Sequence, residues 1–292
     1  MTAFKDHFST NNASYAAHRP AYPPALVDFL ADAAPDRDLA LDVGCGTGQL
    51  SALLARRFAQ VVAIDASAGQ IAAAAPFERV RYHVAPAERS GLPESSASLI
   101  TVAQAAHWLD LAPFYDEVRR AARPRAVLAL ITYGVLHLAD AAADRVVRHF
   151  YEDVIGPFWP PERKHVEDGY CALPFPFAAL ETPALDIEVR WRLADLIGYV
   201  ETWSAVRAAE TSVGRGPIER FRADLAAAWG GARHDQGRAL ASVAPGRAGS
   251  GHVRRLGTTP TTILFWPATD ARPEPRRAST SASCTPCAPL CC

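Results

Sequence analysis

Five short apolar runs mark the first half of the chain, and each ends at a polar or glycine-rich break. They are Leu39 to Val43 (LALDV), Gln60 to Ile64 (QVVAI), Val80 to Val84, Ser98 to Ala103 (SLITVA) and Ala126 to Tyr133 (AVLALITY). Runs of this length and content predict strands. Segments of helical period stand between most of them. Gln49 to Phe58 carries Leu50, Leu53, Leu54 and Phe58 at helical spacing, and Asp110 to Ala122 sets Phe114, Val118 and Ala121 on one face. Ser67 is a suitable N-cap for a helix reaching Ala75. Apolar strands separated by helices imply a parallel sheet covered on both faces. The expected class is α/β, a doubly wound and mostly parallel sheet.

After the fifth strand the pattern changes. Leu138 to Ile155 reads as a long amphipathic helix, and a segment rich in Pro and aromatic residues follows. Leu185 to Leu193 alternates like a strand, while Ala194 to Thr211 and Pro217 to Trp229 read as helices. The stretch 137–180 is long for a crossover, and long insertions tend to line or cover a site. From Gly231 onward eight Arg stand against two Asp and one Glu, among many Pro, Gly, Ser and Thr. Such a composition buries too little apolar area to offset its ordering entropy. Residues 231–292 are therefore expected to form an irregular tail, disordered or translated out of frame. Within it Thr261 to Trp266 could form a short strand.

Composition narrows the function. The 292 residues are 49% hydrophobic and 21% charged, the balance of a globular protein with a full core. A formal net charge of −1 excludes nucleic-acid binding that works by a large overall positive charge, and no nucleic-acid partner is expected. No apolar run approaches ~20 residues, so no membrane span is expected. The first residues lack a basic stretch followed by an apolar one, so the expected compartment is the cytoplasm. Cys284, Cys287, Cys291 and Cys292 crowd the end among prolines with no histidine nearby, a poor zinc pattern, and no metal is expected.

The chemistry-bearing stretch is Asp42-Val43-Gly44-Cys45-Gly46-Thr47-Gly48, between the first strand and the first helix. Glycines there permit close approach of a ligand to the backbone. The helix that follows offers unpaired N–H groups to an anion. The spacing is G-x-G-x-G. A dinucleotide loop wants its third glycine at position 49, which is Gln49, so a nucleotide-dependent oxidoreductase is the weaker reading. Asp65 closes the second strand. In a doubly wound sheet the ends of strands one and two share a crevice, so its carboxylate is placed to accept from ribose hydroxyls. The plainer reading makes Asp65 a cap for the next helix.

DVGCGTGQLS with VVAID resembles the class I S-adenosylmethionine (SAM)-dependent methyltransferases, and more closely their trans-aconitate methyltransferase-like subgroup. Four more motifs carry the likeness. They are Tyr15-Ala16-Ala17-His18-Arg19-Pro20-Ala21-Tyr22-Pro23, Ala105-Ala106-His107-Trp108-Leu109-Asp110, Gly156-Pro157-Phe158-Trp159 and Tyr199-Val200-Glu201-Thr202-Trp203-Ser204-Ala205. The resemblance runs from about Phe8 to Trp229. It implies a Rossmann-like domain over 1–230, a lid over 1–36, a helical substrate-side insertion over 137–180 and SAM as cofactor. It implies that Asp42 and the loop residues Gly44, Cys45, Gly46, Thr47 and Gly48 hold the amino-acid end of SAM. Asp65 would hold the ribose, Ala66 would pack near the adenine, and Ala87 with Glu88 would hold the adenine edge. Gln104 to Trp108 would face the methyl group, with His107 orienting a substrate or acting as a base and Trp108 walling the pocket. Tyr15, Arg19 and Tyr22 would belong to the lid, Arg19 binding a carboxylate in two-pronged fashion. Trp159, Tyr199 and Trp203 would wall the acceptor pocket. Plainer readings stand beside these: Glu88 as a solvated charge, His107 as a structural histidine, Arg19 stacked on a tyrosine, and Tyr199 with Trp203 as core.

Methyl transfer asks for an acceptor atom held ~3–3.5 Å from the methyl carbon and in line with the departing sulfur. A carboxylate acceptor is already ionised near neutral pH and needs no base. A neutral acceptor would call on His107. The leading expectation is methyl transfer to a small molecule, with a carboxylic acid as the candidate acceptor; the alternative is a damaged or non-catalytic relative. Two departures from the family motivate that alternative: the ending after Trp229, and Arg123-Pro124-Arg125-Ala126 where the family turns on Pro-Gly-Gly. A turn without glycine there must be built differently or be strained.

Overall fold

A computed structural model describes residues 20–178, 182, 183, 185 and 187–229, and the backbone of 239–243 and 262–264. The expected five strands form the sheet: β1 (Leu39–Val43), β2 (Gln60–Asp65), β3 (Val80–Val84), β4 (Ala97–Ala103) and β5 (Ala122–Thr132). Their order is β3-β2-β1-β4-β5, all parallel. The register sets Asp42 of β1 beside Ala63 of β2 and Thr101 of β4, which brings the carboxyl ends of the three strands to one rim.

Alternate residues of the strands feed two cores, as a sheet covered on both faces requires. One core holds Leu41, Ile64, Ile100 and Leu128 with Phe114 and Val118 of α4 (Leu111–Ala121). The other holds Val61, Leu99, Val127 and Ile131 with Leu26 and Leu30 of α1 (Pro24–Ala33) and Leu50 and Leu54 of α2 (Gln49–Leu54). Each such leucine is fully or nearly fully buried, a stabilisation of about 2 kcal/mol per side chain. Between these helices, α3 (Ala68–Ala73) starts at Ser67, whose hydroxyl accepts from the Gln70 N–H as the sequence predicts.

Three expectations change. The long helix over 138–155 begins instead with a strand, β6 (Leu136–Leu138). Asp140 then caps α5 (Ala141–His149) by accepting from the Ala142 and Ala143 N–H groups, so the helix cannot start earlier. A wider turn over Phe150–Val154 and a short helix α6 (Arg163–Glu167) complete the insertion. The helix over 194–211 breaks in two, α7 (Leu193–Glu201) and α8 (Ser204–Val213), where Trp203 adopts extended backbone. The last helix is α9 (Gly216–Ala228).

The region expected to be irregular contains two strands. After β7 (Ile187–Trp191) comes β8 (Ala239–Val243), which lies antiparallel between β6 and β7 in a second sheet. β9 (Thr262–Leu264), inside the Thr261 to Trp266 stretch, pairs antiparallel with β5 and covers its outer edge. The missing glycine turn before strand five is built on Arg125, at φ +64°, a left-handed conformation that costs a side-chain-bearing residue about 1–2 kcal/mol. Beside it, Arg123 forms ion pairs with Asp36 and Asp38.

Candidate active site

The rim of β1, β2 and β4 opens into a cavity of about 580 Å³. The glycine loop forms its floor. Gly44 has φ +65°, and a Cβ there would lie 2.6 Å from the Ala105 Cβ; one at Gly48 would collide with the Tyr82 ring. A Cβ at Gly46 would meet nothing nearer than Gln70 Oε1 at 3.8 Å. Gly44 and Gly48 are therefore demanded by protein packing, while Gly46 leaves room for a ligand. Thr47 and Gly48 do not line the cavity; Gly44, Cys45 and Gly46 do. Cys45 is buried, and burial pushes its thiol well above the ordinary range, so it is inert.

Two carboxylates sit at this floor. Asp42 is buried, with Ser51 Oγ donating to Oδ2 at 2.6 Å and Thr101 Oγ1 to Oδ1 at 2.8 Å. Burial dominates and pushes its pKa up to about 6. Asp65 accepts from the Gly46 N–H at 2.9 Å and from the Ser67 N–H at 2.8 Å, one bond to each oxygen. It thus ties the loop to the start of α3 at the rim of the cavity it lines. Ala66, Ala87 and Glu88 line the same cavity, and so does Tyr22, packed edge-on against Tyr133 at 6.1 Å. Gln49 also lines it, and its buried Nε2 has no hydrogen-bond partner among the described residues. Tyr15 and Arg19 lie outside the described residues.

Gln104, His107, Trp108 and Tyr133 form a shared wall. Behind it is a recess of about 60 Å³ whose other side is Trp159, Pro160, Arg163, Tyr199, Trp203 and Ser204. Gln104 sits at φ +57°, held by its N–H to Ile131 O and its Nε2 to Tyr133 O at 2.9 Å. His107 packs on Trp108 at 4.7 Å, and its Nδ1 lies 2.9 Å from the hydroxyl of fully buried Tyr170. Burial, then the charges of Arg163 and His165, push the His107 pKa down to about 3. The ring is neutral at working pH. Tyr199 and Trp203 are at once core and wall, with ring centroids 5.6 Å apart, and Trp159 lies 5.8 Å from Trp203.

A family model described as a methyltransferase domain matches residues 41–130. A Dictyostelium discoideum protein named as a methyltransferase is 35% identical over 210 residues, covering 71% of this chain and 80% of that one. The chain belongs to the class I methyltransferase family. A solved structure from Anaeromyxobacter dehalogenans, described as a type II methyltransferase, superposes on this methyltransferase with a TM-score of 0.74 at 43% identity. It covers 86% of this chain and 98% of its own. A malonyl-[acyl-carrier protein] O-methyltransferase of Dechloromonas aromatica is 37% identical over 132 residues, 44% of this chain and 46% of its own.

The methyl donor of this family is SAM, and the cavity fits it. The unpartnered Gln49 amide, the open face of Gly46 and the ionisable Asp42 and Asp65 supply donors for a carboxylate and acceptors for an ammonium and a ribose. Among the described residues no helix is long and apolar enough to cross a membrane. Sequence reading missed Gln49, Tyr133, Arg163 and Tyr170 as site residues of this methyltransferase. Arg163 and Tyr170 lie in the insertion, and only its length hinted at them.

Proposed function

We propose that this methyltransferase moves the methyl group of SAM to a small molecule whose acceptor is a carboxylate. The observation that carries the reading is the makeup of the recess among the described residues: aromatic walls, one arginine, a neutral histidine and no carboxylate. Nothing in it can strip a proton from an alcohol or amine at neutral pH, whereas a carboxylate arrives ionised. The likeness of the Tyr15, His107, Trp159 and Tyr199 motifs to the trans-aconitate methyltransferase-like subgroup supports the same acceptor class. The Dechloromonas relative is an O-methyltransferase, in keeping with an oxygen acceptor.

In this reading Gln49 Nε2 receives the donor's carboxylate beside the open face of Gly46, and Asp42 faces its ammonium. Asp65 takes the ribose hydroxyls, while Ala66, Ala87 and Glu88 bound the adenine. When bound, SAM supplies an electrophilic methyl carbon. The chain's own part is placement and exclusion of water: Gln104, His107, Trp108 and Tyr133, which line both cavities, would flank the point where the methyl carbon meets the acceptor oxygen, and the aromatic wall holds the acceptor dry.

The test is a methyl-transfer screen on the full chain, with SAM and a panel of small carboxylic acids, alcohols and amines. Ester products from the acids and none from the others are expected. Transfer confined to amines or alcohols would overturn the carboxylate reading.

A further inference from the structure

We propose that Arg163 and His107 form a two-sided anion clamp in the recess, with His107 acting as a fixed N–H donor that Tyr170 positions. The proposal rests on the methyltransferase reading and names the residues that would select the acceptor.

The Arg163 side begins with its stacking. The guanidinium lies 4.7 Å from the Trp159 centroid and 5.6 Å from that of Tyr151, which fixes its plane. Its Nε donates to the Tyr151 hydroxyl at 2.8 Å, and its nearest carboxylate, Glu167, lies 3.9 Å from that same nitrogen. The two terminal nitrogens make no hydrogen bond among the described residues. A guanidinium held flat with its outer N–H pairs free is arranged to grip a planar anion.

The His107 side follows from hydrogen counting. The Tyr170 hydroxyl has one proton to give and two lone pairs. Thr132 and the backbone N–H groups of Ala106 and His107 favour charge on that oxygen, which marks them as its donors. Its own proton then needs an acceptor, and His107 Nδ1 stands 2.9 Å away. With Nδ1 accepting and the ring neutral, the remaining hydrogen is on Nε2. Tyr170 is fully buried while His107 lines both cavities, so this Nε2–H edge is the one left to face them. His107 is thus a donor and not a base.

Size and charge agree. About 60 Å³ holds a few water-sized groups, enough for a carboxylate. Among the described residues the recess lining contains no acidic side chain to compete for the anion. An acceptor carboxylate bridging Arg163 and His107 touches the wall shared with the cofactor cavity, and a neutral amide would leave the guanidinium unpaired.

The experiment uses the full chain saturated with S-adenosylhomocysteine (SAH). Acetate and succinate are titrated by calorimetry, with acetamide and succinamide as neutral counterparts. At least one acid should bind and the amides should not. Arg163→Met should weaken the acid about tenfold or more, and Arg163→Lys, which keeps charge without the fork, should fall between. His107→Phe should weaken it while His107→Gln, which keeps an N–H, restores part. SAH affinity should be unchanged in the Arg163 variants. Melting curves identify any variant that fails to fold, and Arg163→Lys then carries the comparison. Equal binding of acid and amide, no acid binding at all, or full acid affinity in a folded Arg163 variant overturns the clamp. If SAH itself fails to bind, the cofactor reading falls instead, and the same titrations without SAH still judge the clamp.

Discussion

The Tyr170 hydroxyl lies 2.9 Å from His107 Nδ1, and Tyr170 is itself held at φ +64°. A buried aromatic residue in left-handed backbone costs about 1–2 kcal/mol, which the surrounding structure must offset. The contact joins the insertion to the segment after β4, and the same insertion brings Trp159 and Arg163 to the recess.

Tyr170→Phe keeps the ring and removes that bond. His107 should lose its single tautomer, and its ¹⁵N signals should move from an Nε2–H pattern toward a mixture. Acceptor KM should rise about tenfold, the scale of one lost buried hydrogen bond, with SAH affinity unchanged. An Nδ1–H tautomer in the unaltered protein would contradict the assignment.

Asp42 sets a pH dependence. Burial raises its pKa to about 6, above the ordinary 3.8 it regains on unfolding. The folded state therefore binds this proton more tightly than the unfolded one. The stabilisation is present in full below pH 3.8 and is lost as pH rises through 6, a change on the order of 3 kcal/mol. Asp42→Asn should flatten that part of the stability profile in denaturant titrations between pH 4 and 7. If Asp42 faces the ammonium of SAM, cofactor affinity in the unaltered protein should fall below pH 6, approaching tenfold per unit, and Asp42→Asn should abolish that slope.

Arg125 offers a stabilising change. Glycine adopts φ +64° without the side-chain penalty but gains freedom in the unfolded chain. Arg125→Gly should therefore gain about 0.5–1 kcal/mol and raise Tm by about 1–3 °C. Arg125→Ala, which keeps the Cβ, should gain nothing. An unchanged or lower Tm for Arg125→Gly would show that the turn is not strained.

The tail strands bear weight in this fold. β8 stands between β6 and β7, and β9 covers the edge of β5. A chain ending at residue 230 would leave those strands with open edges. It should melt about 5 °C or more below the full chain and aggregate more readily. Equal melting of the two would mean that the tail strands contribute nothing.

The sheet and the cofactor floor were legible because their signals are local. The five apolar runs, the G-x-G-x-G loop and the acidic end of VVAID can each be read within a stretch of a few residues. What was missed depends on distant pairing. His107 meets Tyr170 across 63 positions, and β8 pairs with a strand about 100 positions earlier. Leu136 and Leu138, two apart, share a strand face but not a helix face; the expected helix took in Leu138 alone, and the Asp140 cap sets its start at Ala141. Tyr199 and Trp203 left core and wall as open alternatives from spacing; the structure places them in both.

The most direct test of the account is calorimetric titration of SAH into the folded full chain and its Asp65→Ala variant. One site of micromolar affinity is expected, weakened about tenfold or more in the variant, as loss of charge-assisted bonds to a ribose requires. A folded chain that takes up neither SAH nor SAM would contradict the reading of the large cavity as the cofactor site.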